Sequence, residues 1–289
     1  MESVAQQLLH WYGEAQRPLP WRAPGFGAWG VYVSEIMAQQ TQVQRVAEVW
    51  PAWMERWPHA TALAASAPAD VLRAWGGLGY PRRALWMHAA ATQMVQLHGG
   101  EVPRDDAALR ALPGVGEYTA AAIRAFAFGQ RVPVLDVNVR RVHARVFHAQ
   151  AQAPSSITNA ERAHHDAFLP ADPARAARLS QAVMEFGALL CTARDPRCSE
   201  CPLAGQCRWL TAGAPAATVK LRRQASFQGS DRQCRGALMR VLREAHHAVA
   251  GSQLEAVWAD AVQRGRCLES LLADGLVQAL PEQRYSLPA

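Results

Sequence analysis

The stretch LPGVGEYTAAAI (112–123) decides the fold. Leu112 and Pro113 lead into Gly114-Val115-Gly116, and a long apolar run of helical character follows. Glycines permit a tight turn that a side chain would block. The free amides at the start of the next helix then face outward as an anion site. A turn of this kind between two helices is a helix–hairpin–helix, which grips DNA phosphate without reading sequence. Gly-x-Gly alone also fits a plain linker between helices. The flanking proline and the apolar run favour the hairpin, with Gly114, Val115, Gly116 and Thr119 as the phosphate contacts.

Outward from this turn the chain reads as helical, because Ala, Leu, Arg and Gln dominate and strand-like alternation is rare. Apolar residues recur at helical spacing in 31–50, 70–75 and 82–99, and again in 119–129, 138–149 and 174–191. Residues 211–233 are small and polar and read as a linker. Beyond it, 236–245, 252–262 and 267–277 fit three short helices, and 277–288 fits two strands around a turn. That order predicts a small winged-helix-like domain over 234–289.

The net charge of +6 and pI of about 9.3 favour a polyanionic partner, nucleic acid first. Apart from Lys220, every Lys/Arg position is Arg. Arginine suits phosphate and base edges, although a GC-rich genome gives the same bias. The N-terminus carries acids and lacks the basic start of a secretory signal, and no apolar run is long enough to span a bilayer. The sequence therefore predicts a cytoplasmic, nucleoid-associated bacterial protein with no membrane partner.

Four of six cysteines fall in one loop: Cys191-x6-Cys198-x2-Cys201-x5-Cys207. Four thiolates so close predict a metal, and the spacing alone leaves a zinc ion and an iron–sulfur cubane both open. Two acids also stand out. Glu35 lies in SEIMAQQTQV among apolar neighbours, which argues against a plain surface carboxylate. Asp136 precedes the helix of VLDVNVRRV, where capping alone is the commonest role for Asp.

Together PWR (20–22), SEIMAQQTQV (34–43), WGGLGYPRRA (75–84), LPGVGEYTA (112–120), LDVNVRRV (135–142) and the cysteine loop resemble the adenine DNA glycosylases of the endonuclease III superfamily. The resemblance covers roughly 18–208 and is closest to short-tailed actinobacterial members. It implies an all-α fold of two helical lobes with a DNA groove between them. Residues 1–22 with 134–210 would form the cluster lobe and 23–133 the helical core, and the cluster would be [4Fe–4S]. It implies a monomer that removes adenine mispaired with 8-oxoguanine or guanine from double-stranded DNA.

The resemblance also assigns roles. Glu35 matches the acid that protonates adenine and later activates water, and Asp136 the carboxylate that stabilises the sugar cation. Tyr118 matches a tyrosine of the catalytic pocket and stands where lyase-active relatives carry lysine. Trp21, Arg22 and Gln181 match positions lining the adenine pocket. Gln39, Gln40, Thr41, Leu78 and Tyr80 fall where the duplex is wedged and the opposite base contacted. Two departures stand out: Ala38 replaces the usual Leu, and the tail is too short for the pyrophosphatase-like domain of longer members. The alternatives are a thymine or uracil mismatch glycosylase and a non-enzymatic iron–sulfur DNA sensor.

Overall fold

The computed structural model describes residues 1–217 and 226–289. Lys220 and the middle of the expected linker lie outside the described residues. The helices run in the order α1 Glu2–Ala15, α2 Gly27–Ala38, α3 Val43–Arg56, α4 Ala60–Ala64, α5 Pro68–Trp75 and α6 Arg82–His98. Next come α7 Asp106–Ala111, α8 Glu117–Phe126, α9 Val137–His148, α10 Asn159–Phe168, α11 Pro173–Leu189 and α12 Arg208–Thr211. The C-terminal region follows as α13 Asp231–Glu244, β1 Val249–Ala250, α14 Gly251–Glu255, α15 Ala261–Ala273, β2 Gln278–Leu280 and β3 Arg284–Ser286. No described helix is long and apolar enough to cross a membrane.

Contacts divide the chain into two compact units. Unit 1 holds Met1–Arg22, Arg104–Arg110 and the described residues of Gly116–Leu221. Unit 2 holds Ala23–Pro103, Ala111–Val115 and the described residues of Arg222–Ala289, so the C-terminal region groups with α2–α6.

In unit 1, α11 packs against α1, α8 and α9. Its apolar face and theirs bury Leu8, Tyr12, Val139, Val142, Leu179, Val183 and Phe186 in one core. The start of α11 is specified locally. Asp172 accepts the Arg175 amide at 2.7 Å, and Pro173 fits the first turn because no helical partner is needed there. Thr158 caps α10 in the same way.

Unit 2 is organised around tryptophans. Trp50, Trp53, Trp57 and Trp75 are all buried, and Trp53 meets Trp57 and Trp75 edge-on. The apolar pattern over 31–50 is carried by two helices rather than one. The chain breaks after Ala38 and resumes at Val43, with Gln40 at φ +56°.

The C-terminal region follows the winged-helix order, with an additional strand. β1 joins the hairpin to make an antiparallel sheet in the order β1-β3-β2. The helix expected over 252–262 ends early and the next begins at Ala261, because Asp260 caps it by accepting the Gln263 amide at 2.9 Å. Arg73 on α5 donates to the Ala245 carbonyl at 3.2 Å, and Arg82 on α6 pairs with Asp274 at 3.2 Å.

Candidate active site

In unit 2, Glu35 sits half-buried near the end of α2, between the buried Ser34 and the buried Ile36 and Met37. The helix ends on Arg83, a residue that the sequence reading did not single out. Arg83 is 3% exposed and reaches the carbonyls of Ile36 and Met37 at 3.0 and 2.7 Å. Cations are favoured at a helix C-terminus. The same guanidinium donates to Thr41 Oγ1 at 2.7 Å and to the Gly79 carbonyl at 2.9 Å. It thus joins the turn after α2 to the turn before α6.

Each of these turns carries a non-glycine residue in the left-handed region, Gln40 at φ +56° and Tyr80 at φ +46°. Such residues cost about 1–3 kcal/mol and persist where their surroundings over-determine them. Both side chains are exposed, Tyr80 at 43%. Leu78 is only 4% exposed and Thr41 spends its hydroxyl on the Leu78 carbonyl, so neither side chain is available to a duplex in this conformation. Gln39 turns the other way and donates to the Gly114 carbonyl at 3.0 Å. In the hairpin, the Val115 amide donates to the Leu112 carbonyl at 3.1 Å. In unit 1 the Thr119 side chain is buried on α8. The Val115 amide is thus spent within the hairpin and the Thr119 side chain lies inside the protein.

In unit 1, Asp136 caps α9 and uses both carboxylate oxygens. Oδ1 accepts the Val139 amide at 2.6 Å and Oδ2 accepts the Asn138 side-chain amide at 2.7 Å. Asn138 Oδ1 in turn accepts from Arg141 at 2.8 Å. Arg141 donates to the Cys191 and Gly187 carbonyls at 2.8 and 2.6 Å. A chain of hydrogen bonds thus runs from Asp136 to the first residue of the cysteine loop. Burial pushes the Asp136 carboxyl up, against the lowering effect of the Val139 and Asn138 hydrogen bonds and the Arg141 charge. The close approach of α11 depends on Gly187, where a Cβ would lie 2.7 Å from Asn138 Cβ.

Tyr118 lies on α8 and packs against the small apolar cluster of Ala122, Ala125 and Val134. Trp21 and Arg22 form a 3-10 turn, Pro20–Arg22, held by Glu185 of α11. Glu185, also unforeseen from sequence, is 2% exposed and takes Arg17 and Arg22 together, the latter at 3.0 Å. Burial raises its carboxyl, but the Arg17 hydrogen bond and the Arg22 charge outweigh that and hold it below the usual range. Gln181, one turn earlier, accepts from Tyr12 at 3.3 Å. Arg22, Gln181 and Glu185 are thus brought to one side of α11, with Trp21 in the turn that carries Arg22.

Cys191, Cys198, Cys201 and Cys207 line one cavity beneath α9 and α11. Burial, together with the neighbouring thiols, pushes Cys201 up to about 11, and burial raises Cys207. Four crowded thiols of this kind become thiolates only with a multivalent cation among them. Arg145 donates to Cys191 Sγ at 3.4 Å and to the Thr192 carbonyl at 2.7 Å, which suits an anionic thiolate-bound cluster. Four thiols lining one cavity fit a thiolate-bound metal group, zinc or an iron–sulfur cubane alike.

Comparison with known proteins agrees with this geometry. Residues 33–164 match the HhH-GPD superfamily of base excision DNA repair proteins, and 191–207 match the iron–sulfur binding domain of endonuclease III. The chain is 51% identical over 282 residues to an adenine DNA glycosylase of Mycolicibacterium smegmatis, covering 97% of this chain and 94% of the relative. An adenine DNA glycosylase of Mycobacterium tuberculosis is 49% identical over 97% of this chain and 92% of its own. Among solved structures, a thermostable thymine-DNA glycosylase superposes with a TM-score of 0.66 at 23% identity, covering 73% of this chain and 96% of its own, and so shares the fold. The chain belongs to the adenine DNA glycosylase family, within the helix–hairpin–helix superfamily of base excision DNA repair proteins, and carries that superfamily's [4Fe–4S] loop.

Proposed function

We propose that this protein removes adenine mispaired with 8-oxoguanine or guanine from double-stranded DNA, by acid-assisted hydrolysis of the N-glycosidic bond. Identity of 51% to an adenine DNA glycosylase, spread over 97% of the chain, carries the reading. The target base must leave the stack, which costs a few kcal/mol and least at a mismatch. Gln40 and Tyr80, both exposed on strained turns, fill the vacated space, and Leu78, buried in this conformation, turns outward to join them.

Adenine leaves poorly as an anion, so Glu35 delivers a proton to the ring and then activates water. The sugar becomes oxocarbenium-like and Asp136 opposes its charge. At about 4 Å that attraction is worth roughly 1 kcal/mol in water and roughly 4 at intermediate dielectric, so Asp136 acts with water excluded. Its two internal hydrogen bonds fix the direction of the carboxylate beforehand. Trp21, Arg22 and Gln181 receive the extruded base beside Tyr118. Cys191, Cys198, Cys201 and Cys207 hold the cluster, which supplies a cross-link that folds their loop. With tyrosine at 118 no amine attacks the sugar, so the product is an intact strand with an abasic site. The winged-helix region takes over part of the recognition of the oxidised base.

The test is base release from A:8-oxoguanine, A:G, T:G and U:G duplexes, read with and without alkaline strand cleavage. Adenine release that needs alkali to break the strand is expected, and Glu35→Gln should abolish it while leaving mismatch binding within about threefold. Release of thymine or uracil instead would identify a different mismatch glycosylase. Binding without any release would identify a sensor. Borohydride trapping of a lysine adduct would contradict the hydrolytic route.

A further inference from the structure

The turn after α2 and helix α6 both meet the hairpin at Gly114, in unit 2. The first tie is the Gln39 side-chain amide on the Gly114 carbonyl at 3.0 Å. The second is Trp86, which closes the other side of the turn: a Cβ on Gly114 would lie 3.2 Å from Trp86 Cβ and 3.3 Å from its ring. Arg82 stands 5.2 Å over the same ring. Gly114 has φ +79°, so the carbonyl that Gln39 holds belongs to the residue that makes the hairpin turn.

The next residue after Gln39 is the strained Gln40. Its neighbours on both sides are fixed by long-range bonds, Gln39 to the hairpin and Thr41 to Arg83. Arg83 also fixes the end of α2 and the turn leading to Tyr80. A left-handed glutamine has no local reason to hold that conformation, and it relaxes when either clamp is lost. The Gln39 clamp is special because its far end is the hairpin apex. A force on the hairpin is delivered one residue away from Gln40.

We propose that Gln39 is a positioning residue that couples the hairpin to Gln40, so that seating Gly114–Gly116 on a backbone phosphate and inserting Gln40 into the stack become one event. This rests on the proposed reading that the chain extrudes a base from duplex DNA. Without the Gln39 bond the hairpin still grips phosphate, but grip and insertion become independent. Gln39 thereby acts through Gln40 and need not touch the departing base.

The test separates grip from extrusion. Gln39→Met keeps the length of the side chain and removes the donor. Duplex affinity and its salt dependence are expected to stay within about twofold of the parent. The fluorescence rise of 2-aminopurine placed opposite guanine should fall about tenfold, a typical size for a coupling between two sites. Single-turnover release should lose kcat by a similar factor with KM little changed. Gln39→Glu, which faces the Gly114 carbonyl with a second acceptor, should lose more, and Gln39→His, which restores a donor, should recover part of the signal. Trp86→Leu loosens the hairpin from the other side and should weaken duplex affinity first. Extrusion by Gln39→Met at the parental level would overturn the coupling, as would parallel loss of affinity and extrusion. A parent protein that extrudes the base yet releases no adenine would instead overturn the proposed activity, and the fluorescence comparison would still decide the coupling.

Discussion

Asp136 does two jobs with one carboxylate, and substitutions can separate them. Asparagine is as good an N-cap as aspartate, whereas alanine loses the cap at a cost of about 0.5–2 kcal/mol. Asp136→Asn keeps the acceptor for the Val139 amide but sets its own amide against that of Asn138, so it is expected to lower the denaturation midpoint slightly and Asp136→Ala to lower it more, while both lose single-turnover base release. The sign of the pKa shift sharpens this. A carboxyl whose folded pKa is raised holds its proton more tightly in the native state, so stability falls as pH rises through that window. The stability deficit of the asparagine variant relative to the parent should therefore shrink as pH rises through that window, measured by urea unfolding. Capping by Asp136 was legible from sequence, because the Val139 amide it accepts lies three residues away. Arg83, Glu185 and the Asn138–Arg141 relay were not, because their partners lie up to 168 positions distant. Nothing in local composition distinguishes a buried arginine that ends a helix from the many exposed ones.

At the scale of elements, hydrophobic period located α5, α6, α8, α9 and α11 to within a few residues and left the short α4, α7, α10 and α12 unmarked. The pattern over 31–50 misled because helical spacing continues through the break, and a left-handed glutamine leaves no glycine or proline to mark it. β1 was missed because two residues carry no alternation; its pairing with β3 alone defines it. The cysteine loop is the least self-sufficient element. Between Leu189 and Arg208 it has two single-turn 3-10 segments, and its thiols are held by packing, Arg145 and the backbone of Leu203, Trp209 and Leu210. Binding free energy of a structural metal is folding free energy in such a segment. Cys201→Ser should therefore lose iron, sulfide and the cluster's visible absorption. It should also open residues 191–211 to proteolysis while α2–α6 stay protected, as read by mass spectrometry of the fragments.

At the scale of the whole molecule, the net charge of +6 predicts DNA affinity that falls steeply with salt. Acid stability comes from a different place. In unit 1, His143 on α9 and His165 on α10 are both buried, with ring centroids 3.6 Å apart. With His148 and His164 they line a cavity between the two helices, where His143 Nδ1 and the Nε2 atoms of His164 and His165 have no protein partner. Burial lowers His143 well below the usual range and His165 to about 3, with the neighbouring imidazoles adding to the effect. A base lowered on folding binds fewer protons in the native state, so its stability is full above an unfolded pKa of about 6.5 and is lost as pH falls towards 3. Each such histidine gives a slope of up to about 1.4 kcal/mol per pH unit. His165→Phe is expected to remove roughly half of the acid dependence of the urea midpoint between pH 7 and 5.

The buried imidazole stack has a consequence for enzymology. Its protonation falls on the acidic limb of any pH–rate curve, and so does that of the Asp136 carboxylate, whose pKa burial raises, yet one dismantles a helix pair and the other only removes a charge. An apparent kinetic pKa below neutrality would thus belong to two chemically unrelated events. Replacing the imidazole at 165 is what would pull them apart.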